Sequence, residues 1–487
     1  MQCLEKEPEK RPQSAADIVR VLETVSSSGA SAAAPAALIG GHLRLGHAVS
    51  LWAGATALVG LVAWAATAVI GLPDWVFPGS LGVMLAGLPM IALTWYVQRV
   101  TQRAYTTTPV FTPGGSPSAQ GPIATLAVKA SPHVNWRRTW LGGVVAVAAF
   151  AALVVGYMVM RALGIGPVGS LMAAGKLGEG ETLVVADFRG PPGDSTLGST
   201  VAEALRTDLR QSGTLDVMTR ASMAEILGLM QRRRDTVVDS KVAREVATRE
   251  GARAVLDGEI VRLGQSYVVS ARLVSGFDGT ELATFSEQAD SENHLVRSLG
   301  RLSRAIRSRI GESLKDIREA KPLERVSTPS LAALRKYVEA VRQSDEIGDV
   351  ERGLALLEEA VALDSAFAMA WRKIAVVVGN QRTDRPRQMD AAARAFRHRE
   401  RLSETERLLT EAYYYSSGPE PNRERALAAY EALLEADPKN TTALNNAGVQ
   451  YLETRNYAQA ADRFRRSLDE KRPFGFAFTN LMQAEFR

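Results

Sequence analysis

Three long stretches without formal charge constrain this chain more than any other feature of its 487 residues. The first two are separated only by a short turn that contains Asp74, and the third lies between Arg138 and Arg161. As α-helices, each would be long enough to cross a hydrocarbon core of about 30 Å. The alternative, buried helices of a soluble core, fits this length and apolarity poorly. We therefore predict three transmembrane helices, at 49–72, 75–97 and 139–161.

Basic residues beside these stretches indicate how the chain is oriented. The turn at Asp74 has no Lys or Arg, whereas residues 98–138 carry five, namely Arg99, Arg103, Lys129, Arg137 and Arg138. Positively charged flanks stay in the cytoplasm. We predict a multi-pass protein of the cytoplasmic (inner) membrane, with the 98–138 linker inside and residues 164–487 outside. The Pro, Gly and Ser content of that linker is typical of an extended segment.

The net charge of +5 belongs to the apolar part of the chain, because residues 1–163 hold 11 of the 58 Lys and Arg and 6 of the 53 Asp and Glu. The remaining residues are therefore neutral, which argues against nucleic acid as a partner. Cys3 is the single cysteine and cannot form an internal disulfide. The five histidines show no spacing that would place two on one helix face, so we predict no metal site.

The N-terminal residues 3–23 (CLEKEPEKRPQSAADIVRVLE) resemble the last stretch of the Hanks-type serine/threonine protein kinase domain. The resemblance is carried by Glu7-Pro8, by Arg11-Pro12 and by Ser14 ahead of a final amphipathic helix. It implies that residues 1–25 are the remnant of a kinase domain and that residues 26–48 link it to the membrane. The alternative is a short Ser-capped helix before a Ser- and Ala-rich linker.

No other kinase motif occurs in the sequence. It has no glycine-rich loop before a Val-Ala-x-Lys strand, no His-Arg-Asp and no Asp-Phe-Gly, the groups that hold Mg²⁺ and the phosphates. We expect no catalytic residue, no cofactor and no catalytic activity in this chain, and ATP and Mg²⁺ would belong to the missing kinase domain. We also expect both ends to be cut from a longer protein.

Residues 179–320 alternate strand and helix patterns in the order βαβααβββα, which predicts one α/β domain with a mixed sheet. The strands are predicted at 181–188, 215–219, 253–263, 266–274 and 280–289, and the helices at 197–211, 221–232, 239–250 and 292–317. Gly190, Gly193 and Gly198 lie where a phosphate loop would sit. Neither dinucleotide nor P-loop spacing is present, which favours a plain connecting loop.

The α/β arrangement is similar to the TolB N-terminal-like or FlgO/CsgG-like domains that follow the membrane anchor in bacterial receptor kinases and cyclases. The likeness is carried by residues 184–188 (VVADF), 251–260 (GARAVLDGEI) and 271–274 (ARLV). It implies a sensory or assembly module without catalysis. The basic run 232–234 is interpreted as a solvated helix end, with a lipid-headgroup contact as the alternative.

From residue 329 onwards the pattern is purely helical and has a period of 34 residues, the period of the tetratricopeptide (TPR) family. The residues that match the packing positions of that family are Ala426, Tyr430, Gly448, Tyr451, Ala460 and Phe464. Trp371 marks an earlier unit, 73 residues before Leu444, which exceeds two repeats by five. We predict an insertion or an irregular pair around residues 380–420. The alternative is an ordinary helical bundle.

The TPR resemblance implies a peptide-binding face on the first helix of each repeat. Family positions 2, 5, 9 and 12 line the concave side, which gives the candidates Thr442, Asn445, Val449 and Leu452, with Asn446 beside them. The three polar side chains can bond a peptide backbone, and the other two offer apolar contact. The alternative is that the asparagines only decorate a solvated helix.

These patterns predict a multidomain membrane protein with three transmembrane α-helices, an external α/β (mixed sheet) domain at 179–320 and an all-α TPR solenoid at 329–487. The expected function is that of the sensor and scaffold half of a receptor-type serine/threonine protein kinase. It would bind a peptide or protein partner through its α/β domain and its TPR array. The alternative is a membrane-anchored TPR scaffold or assembly protein unrelated to kinase signalling.

Overall fold

A computed structural model describes residues 45–106, 130, 134–165, 169–382, 384–470 and 475–486. The kinase-like stretch at 3–23 and most of the predicted linker at 98–138 lie outside the described residues. The chain divides into two compact units. The first holds the described parts of Met1–Ala66 and Asp74–Ala152, and the second holds Thr67–Pro73 and the described residues from Leu153 onwards.

Within the described residues, three helices are long and apolar enough to cross a membrane, namely α1 (Leu45–Val69), α2 (Val76–Thr106) and α3 (Trp136–Ala162). The prediction of three apolar helices with a turn at 71–74 is confirmed. Helix α2 continues nine residues past the predicted end at 97, because no Gly or Pro interrupts the chain before Thr106.

A few polar and aromatic contacts join the apolar helices inside the first unit. The indole Nε1 of Trp52 in α1 donates to the backbone oxygen of Met84 in α2 at 3.1 Å. The hydroxyls of Thr94 in α2 and Thr139 in α3 are 2.7 Å apart. Such hydrogen bonds hold apolar helices together in surroundings as apolar as the helices themselves, where the hydrophobic effect does not drive helices to associate.

The described residues of the second unit form one five-stranded mixed sheet, which confirms the predicted sheet type. Its strands are β1 (Glu181–Val185), β2 (Leu215–Val217), β3 (Ala254–Leu263), β4 (Ser266–Ser275) and β5 (Glu281–Ala289). They lie in the order β2-β1-β3-β4-β5. Strand β1 is parallel to β2 and β3, whereas β3, β4 and β5 are antiparallel.

Helices cover both faces of the sheet. They are α4 (Leu197–Leu209), α5 (Arg220–Leu229), α6 (Ser240–Glu250) and α7 (Leu295–Ile310). One buried cluster joins α4 and α7 to one face of the sheet, and another joins α5 and α6 to the opposite face. The alternating residues of β4 that the sequence places on one face, Tyr267, Val269, Ala271 and Leu273, all belong to the first cluster.

The single long helix predicted at 292–317 is wrong. Helix α7 ends at Ile310, and Gly311 has a φ of 132° that is outside the helical range. The next residue, Glu312, is buried against Arg307, and Ser313 caps α8 (Leu314–Glu319) by accepting from the amide of Lys315. A buried ion pair at the bend therefore interrupts a pattern that is helical throughout in the sequence.

Beyond residue 320 the described residues form only helices. They are α9 (Leu323–Val326), α10 (Leu331–Val341), α11 (Val350–Leu363), α12 (Ala368–Gln381), α13 (Arg385–Arg397), α14 (Glu404–Ser417), α15 (Arg423–Ala436), α16 (Thr441–Glu453), α17 (Tyr457–Asp469) and α18 (Ala477–Glu485). From α10 onwards, each packs on its neighbour in the sequence. We call α10–α18 the helical array.

The extra five residues of the irregular region are divided between two links. Helices α12, α14 and α16 begin at Ala368, Glu404 and Thr441, so successive starts are 36 and 37 residues apart instead of 34. The additional residues lie in the short 3₁₀ turn Arg399–Arg401 between α13 and α14 and in the loop at 418–422. The region around 380–420 thus holds two complete helices with lengthened connections.

The α/β domain and the start of the helical array share one hydrophobic core. The cluster that contains Leu183 of β1 and Leu302 of α7 continues without interruption through Leu334 and Tyr337 of α10 to Phe367. The rings of Tyr337 and Phe367 have centroids 5.1 Å apart. Because their apolar side chains are buried together, these parts form one body.

Candidate binding surface

The five predicted peptide-binding residues all lie on helix α16. The side chain of Asn440 accepts a hydrogen bond from the amide of Ala443 at 3.0 Å, which starts the helix at Thr441. Asn445 is only 3% exposed. The other four residues, Thr442, Asn446, Val449 and Leu452, are half-buried.

The two asparagines are engaged inside the helix packing. Asn445 Nδ2 donates to Asn446 Oδ1 at 3.1 Å, and Asn480 Nδ2 of α18 donates to Asn445 Oδ1 at 2.8 Å. Asn446 also contacts Tyr430, whose burial raises its pKa to about 12. The structure therefore brings Asn445 and Asn446 together and uses the amide of Asn445 to hold α18.

The two apolar candidates pack against the following helices. Val449 and Leu452 lie against the buried cluster of Ala460, Ala461, Phe464 and Ala484, which belongs to α17 and α18. Thr442 occupies the first turn of α16 beside them in sequence. Of the five, Thr442 and Asn446 are the polar side chains that keep part of their surface accessible to a partner.

The corresponding positions of the first helix pair contact the α/β domain. Gly353 matches Ala460 once the five extra residues of the irregular region are allowed for. Arg335 and Arg342 of the first pair therefore stand where Thr442 and Val449 stand in the last. Arg335 donates from both terminal nitrogens to the carboxylate of Asp194 at 2.7 Å. Arg342 lies 3.9 Å from Asp235.

The contact of Arg335 with Asp194 also closes the start of helix α4. Asp194 Oδ1 accepts from the amide of Leu197, the first residue of α4, at 3.1 Å, so its carboxylate lies at the N-terminus of the helix while it binds the guanidinium. The hydrogen bond from Arg335 holds the pKa of Asp194 below its usual range. Helix α10 of the array is thus bonded to the loop that follows β1.

A second contact between the two parts is a buried triad of charges. Arg220 at the start of α5 donates to Glu346 at 2.8 Å and to Asp187 at 2.9 Å. The side chains are 14%, 2% and 7% exposed, respectively. Asp187 also accepts from the amide of Val238 at 2.9 Å. Burial opposes the positive charge, but the two carboxylates raise the pKa of Arg220.

A third contact links α4 to helices α12 and α14. Glu406 pairs with Arg372 of α12 and lies 3.9 Å from Arg210, which follows α4. Burial alone would raise the pKa of Glu406, but the two arginines hold it below its usual value. Nearby, Lys321 Nζ donates to the backbone oxygen of Leu402 at 2.7 Å.

The C-terminal end of α3 is hydrogen-bonded to residues near the end of α7. Arg161 donates to Ser308 Oγ at 2.9 Å and to the backbone oxygen of Glu312 at 2.8 Å. The chain at 67–73, which belongs to the same unit, is held by Arg318, which donates to the oxygen of Leu72 at 3.1 Å. These bonds join Leu72 and Arg161, both residues of the second unit, to the region around α7 and α8.

Sequence reasoning missed the residues that join the domains. Extending the repeat alignment back from α16 by three periods of 34 residues and the five extra residues of the irregular region would have pointed to Arg335. Nothing in the sequence points to the pair of Arg220 and Glu346, which are 126 residues apart. In the part of the chain that the structure describes, no three His, Cys, Asp or Glu side chains are grouped to hold a metal ion.

No protein-family model matches the chain, and a search of curated proteins found no match. Among solved structures, the C-terminal domain of LpoB from Salmonella enterica is 15% identical over 24% of this chain and 86% of its own, with a TM-score of 0.21. Two further structures are similar to the same extent. A PelC dodecamer from Paraburkholderia phytofirmans is 14% identical over 27% of this chain and 90% of its own, with a TM-score of 0.20. Lipoprotein GNA1162 from Neisseria meningitidis is 18% identical over 23% of this chain and 83% of its own, with a TM-score of 0.20. TM-scores this low support no functional conclusion.

Proposed function

We propose that this chain is the membrane-anchored sensor and scaffold half of a receptor-type serine/threonine protein kinase. Helices α1–α3 would cross the cytoplasmic membrane, and residues 164–487 would lie outside it. There the α/β domain and the helical array would bind a peptide or protein partner. One observation carries the proposal: the α/β domain and the array share a core, and Arg161 at the end of α3 is bonded to that body.

The orientation is supported by contacts at both ends of the apolar segments. The oxygen of Leu72, in the turn after α1, bonds Arg318, and Arg161 bonds Ser308 and Glu312. Both contacts join residues of the second unit to the region around α7 and α8, which supports a topology in which the turn and the end of α3 would lie on the same side of the membrane. The basic residues at 98–138 assign the opposite side to the cytoplasm.

The interpretation of the array as TPR repeats is supported by close packing at one diagnostic glycine. A Cβ atom at Gly448 would lie 2.5 Å from the ring of Phe464, so only glycine lets α16 approach α17 as it does. In such an array the first pair would hold the α/β domain through Arg335. The later pairs, with Thr442 and Asn446, would remain for a partner.

The kinase assignment rests on residues 3–23 and is tested by the genomic sequence upstream. An open frame that encodes His-Arg-Asp and Asp-Phe-Gly and runs into Met1 would support it. A stop codon directly upstream of Met1 would contradict it and favour the scaffold without a kinase.

The topology is tested by labelling single cysteines with a membrane-impermeant maleimide. In a Cys3→Ser background, Ser195→Cys places a thiol at an exposed position of the α/β domain, and Ser116→Cys places one in the 98–138 linker. In spheroplasts we expect Ser195→Cys to react at once and Ser116→Cys to react only after lysis. The reverse pattern would refute the orientation.

A further inference from the structure

A cleft of 660 Å³ lies at the carboxyl end of β1, between residues 189–194 and the end of the β3–β4 hairpin. The chain leaves β1 for β2 on one side and returns to β3 on the other, so the direction of winding reverses between β1 and β3. In open α/β sheets, ligands bind at such a reversal. The volume is in the range of ordinary ligand sites, about 300–1,000 Å³.

The edge of β3 that borders this cleft is unpaired because two prolines end the ladder. Arg189 donates to the oxygen of Gly258 at 2.9 Å, and Ile260 donates to the oxygen of Arg189 at 2.8 Å. Pro191 and Pro192 follow Arg189 on the segment that lies beside β3. They have no N–H with which to continue the hydrogen-bond ladder. On this side of β3 the backbone pairing therefore ends at Ile260, although β3 continues to Leu263.

Backbone groups of β3 point into the cleft as a result. Leu263 and Ser266 close the hairpin, so alternate residues of β3 direct their N–H and C=O groups away from β4. Ile260 and Arg262 are among them. Among the described residues, the C=O of Ile260 and the N–H of Arg262 have no hydrogen-bond partner. They form a short template for one more strand.

The side chains around this edge favour a partner that carries a carboxylate. The side chain of Arg189 is 83% exposed, and its nearest carboxylate, that of Glu259, is 3.6 Å away. Arg262 is exposed and lies over the ring of Tyr267, which is buried and forms part of the floor. Asp194 on the rim is already neutralised by Arg335. The lining of the cleft thus carries two arginines, Arg189 and Arg262, and one accessible carboxylate, that of Glu259.

We propose that this cleft binds an extended peptide of a partner protein, which adds a strand beside Ile260–Leu263 and sets acidic side chains against the two arginines that line the cleft, Arg189 and Arg262. This inference rests on the proposed function and deepens it, since it states what the α/β domain binds. It does not depend on the kinase assignment or on the TPR surface.

The test uses the full chain in detergent and a fluorescein-labelled, end-blocked pentapeptide of alternating valine and glutamate, with binding followed by fluorescence anisotropy. Two matched peptides are the controls: one has lysine in place of glutamate, and one has N-methylated backbone amides. We expect the first to bind several-fold more weakly for lack of charge pairing. The second should lose up to about tenfold in affinity for each strand hydrogen bond removed.

Variants of the cleft separate the charge from the backbone edge. Arg189→Gln and Arg262→Gln should each weaken binding by about two- to fivefold. Arg262→Pro also removes the outward N–H and should weaken binding further, while the hairpin persists because this N–H does not face β4. Arg297→Gln is the matched control, an exposed arginine of α7 that lies 3.4 Å from Glu324 outside the cleft.

Three results would overturn the inference. One is equal affinity for the glutamate peptide and its N-methylated form, which does not depend on the folding of any variant. Another is an unchanged affinity of Arg189→Gln relative to Arg297→Gln. The third is self-association of the chain that Arg262→Pro abolishes in sedimentation experiments, because the occupant would then be a second copy. The cysteine-labelling pattern is independent of all three, so failure here is distinguishable from failure of the proposed membrane orientation.

Discussion

Arg220 neutralises two buried carboxylates that come from distant parts of the chain. Its replacement by alanine would leave Asp187 and Glu346 buried without a counter-charge. Breaking a buried pair in this way costs about 3–5 kcal/mol of folding free energy. We therefore expect Arg220→Ala to lower the melting temperature of the purified chain by many degrees, as followed by circular dichroism.

The control for Arg220 is an exposed ion pair. Arg297 lies 3.4 Å from Glu324 and is largely accessible to solvent. Arg297→Ala should change the free energy of unfolding by about 1 kcal/mol or less, because exposed pairs contribute little. Equal shifts in the two variants would mean that the buried triad does not stabilise the junction.

Asp208 at the end of α4 makes stability depend on pH. It is 3% exposed, and burial raises its pKa, although Arg307 is near and Gln211 donates to it at 2.9 Å. An unfolded aspartate titrates near about 3.9. Because the folded chain holds this proton more tightly, the contribution of Asp208 is most favourable below that pH and is lost as pH rises through the folded pKa.

Asp208→Asn removes this charge and keeps an oxygen that can accept from Gln211. We expect the variant to melt at a higher temperature than the parent at pH 7. The difference should shrink as pH falls and disappear below about pH 3, where the parent is protonated in both states. Melting curves of both proteins between about pH 2.5 and about 8 provide the measurement. A gain that is the same at every pH would contradict the assignment.

Close approach of α16 to α17 depends on Gly448. A methyl group there would meet the ring of Phe464, which is fully buried. Overpacking of this kind costs about 1–3 kcal/mol. We expect Gly448→Ala to destabilise the array, which would be measured as faster hydrogen exchange in α16 and α17.

Gly228→Ala is the matched control in another helix. A Cβ at Gly228 in α5 has its nearest neighbour, Arg234 Nε, at 3.8 Å, so the methyl group fits. Alanine inside a helix is then favoured over glycine by about 0.5–1 kcal/mol. The two substitutions should therefore shift stability in opposite directions. Destabilisation by both would point to a general intolerance of the fold.

The α/β domain and the first part of the array should unfold as one cooperative unit, because they share a core. Leu183 of β1 is 1% exposed, and Leu183→Ala should cost about 2–5 kcal/mol. Native-state hydrogen exchange, read by mass spectrometry, should then quicken in α12 as much as in β3. Faster exchange confined to β3 would show that the array is stable without the α/β domain.

Local patterns were sufficient for most of the elements. Length without charge indicated the three apolar helices, alternation indicated the strands, and a 34-residue period indicated the helix pairs. Each of these features depends on neighbours in sequence, so it can be read without knowledge of the fold. The same patterns placed Thr442, Asn445, Asn446, Val449 and Leu452 on one helix.

Tertiary packing decided which of those elements contact one another and which side chains are buried between them. It buried Asn445 against Asn480, and it bent the chain at Gly311 around the pair of Arg307 and Glu312. It also joined Arg220 to Glu346 across 126 residues. Partner choice among many arginines and acids depends on distance and burial in the folded chain, and neither quantity is a function of sequence spacing.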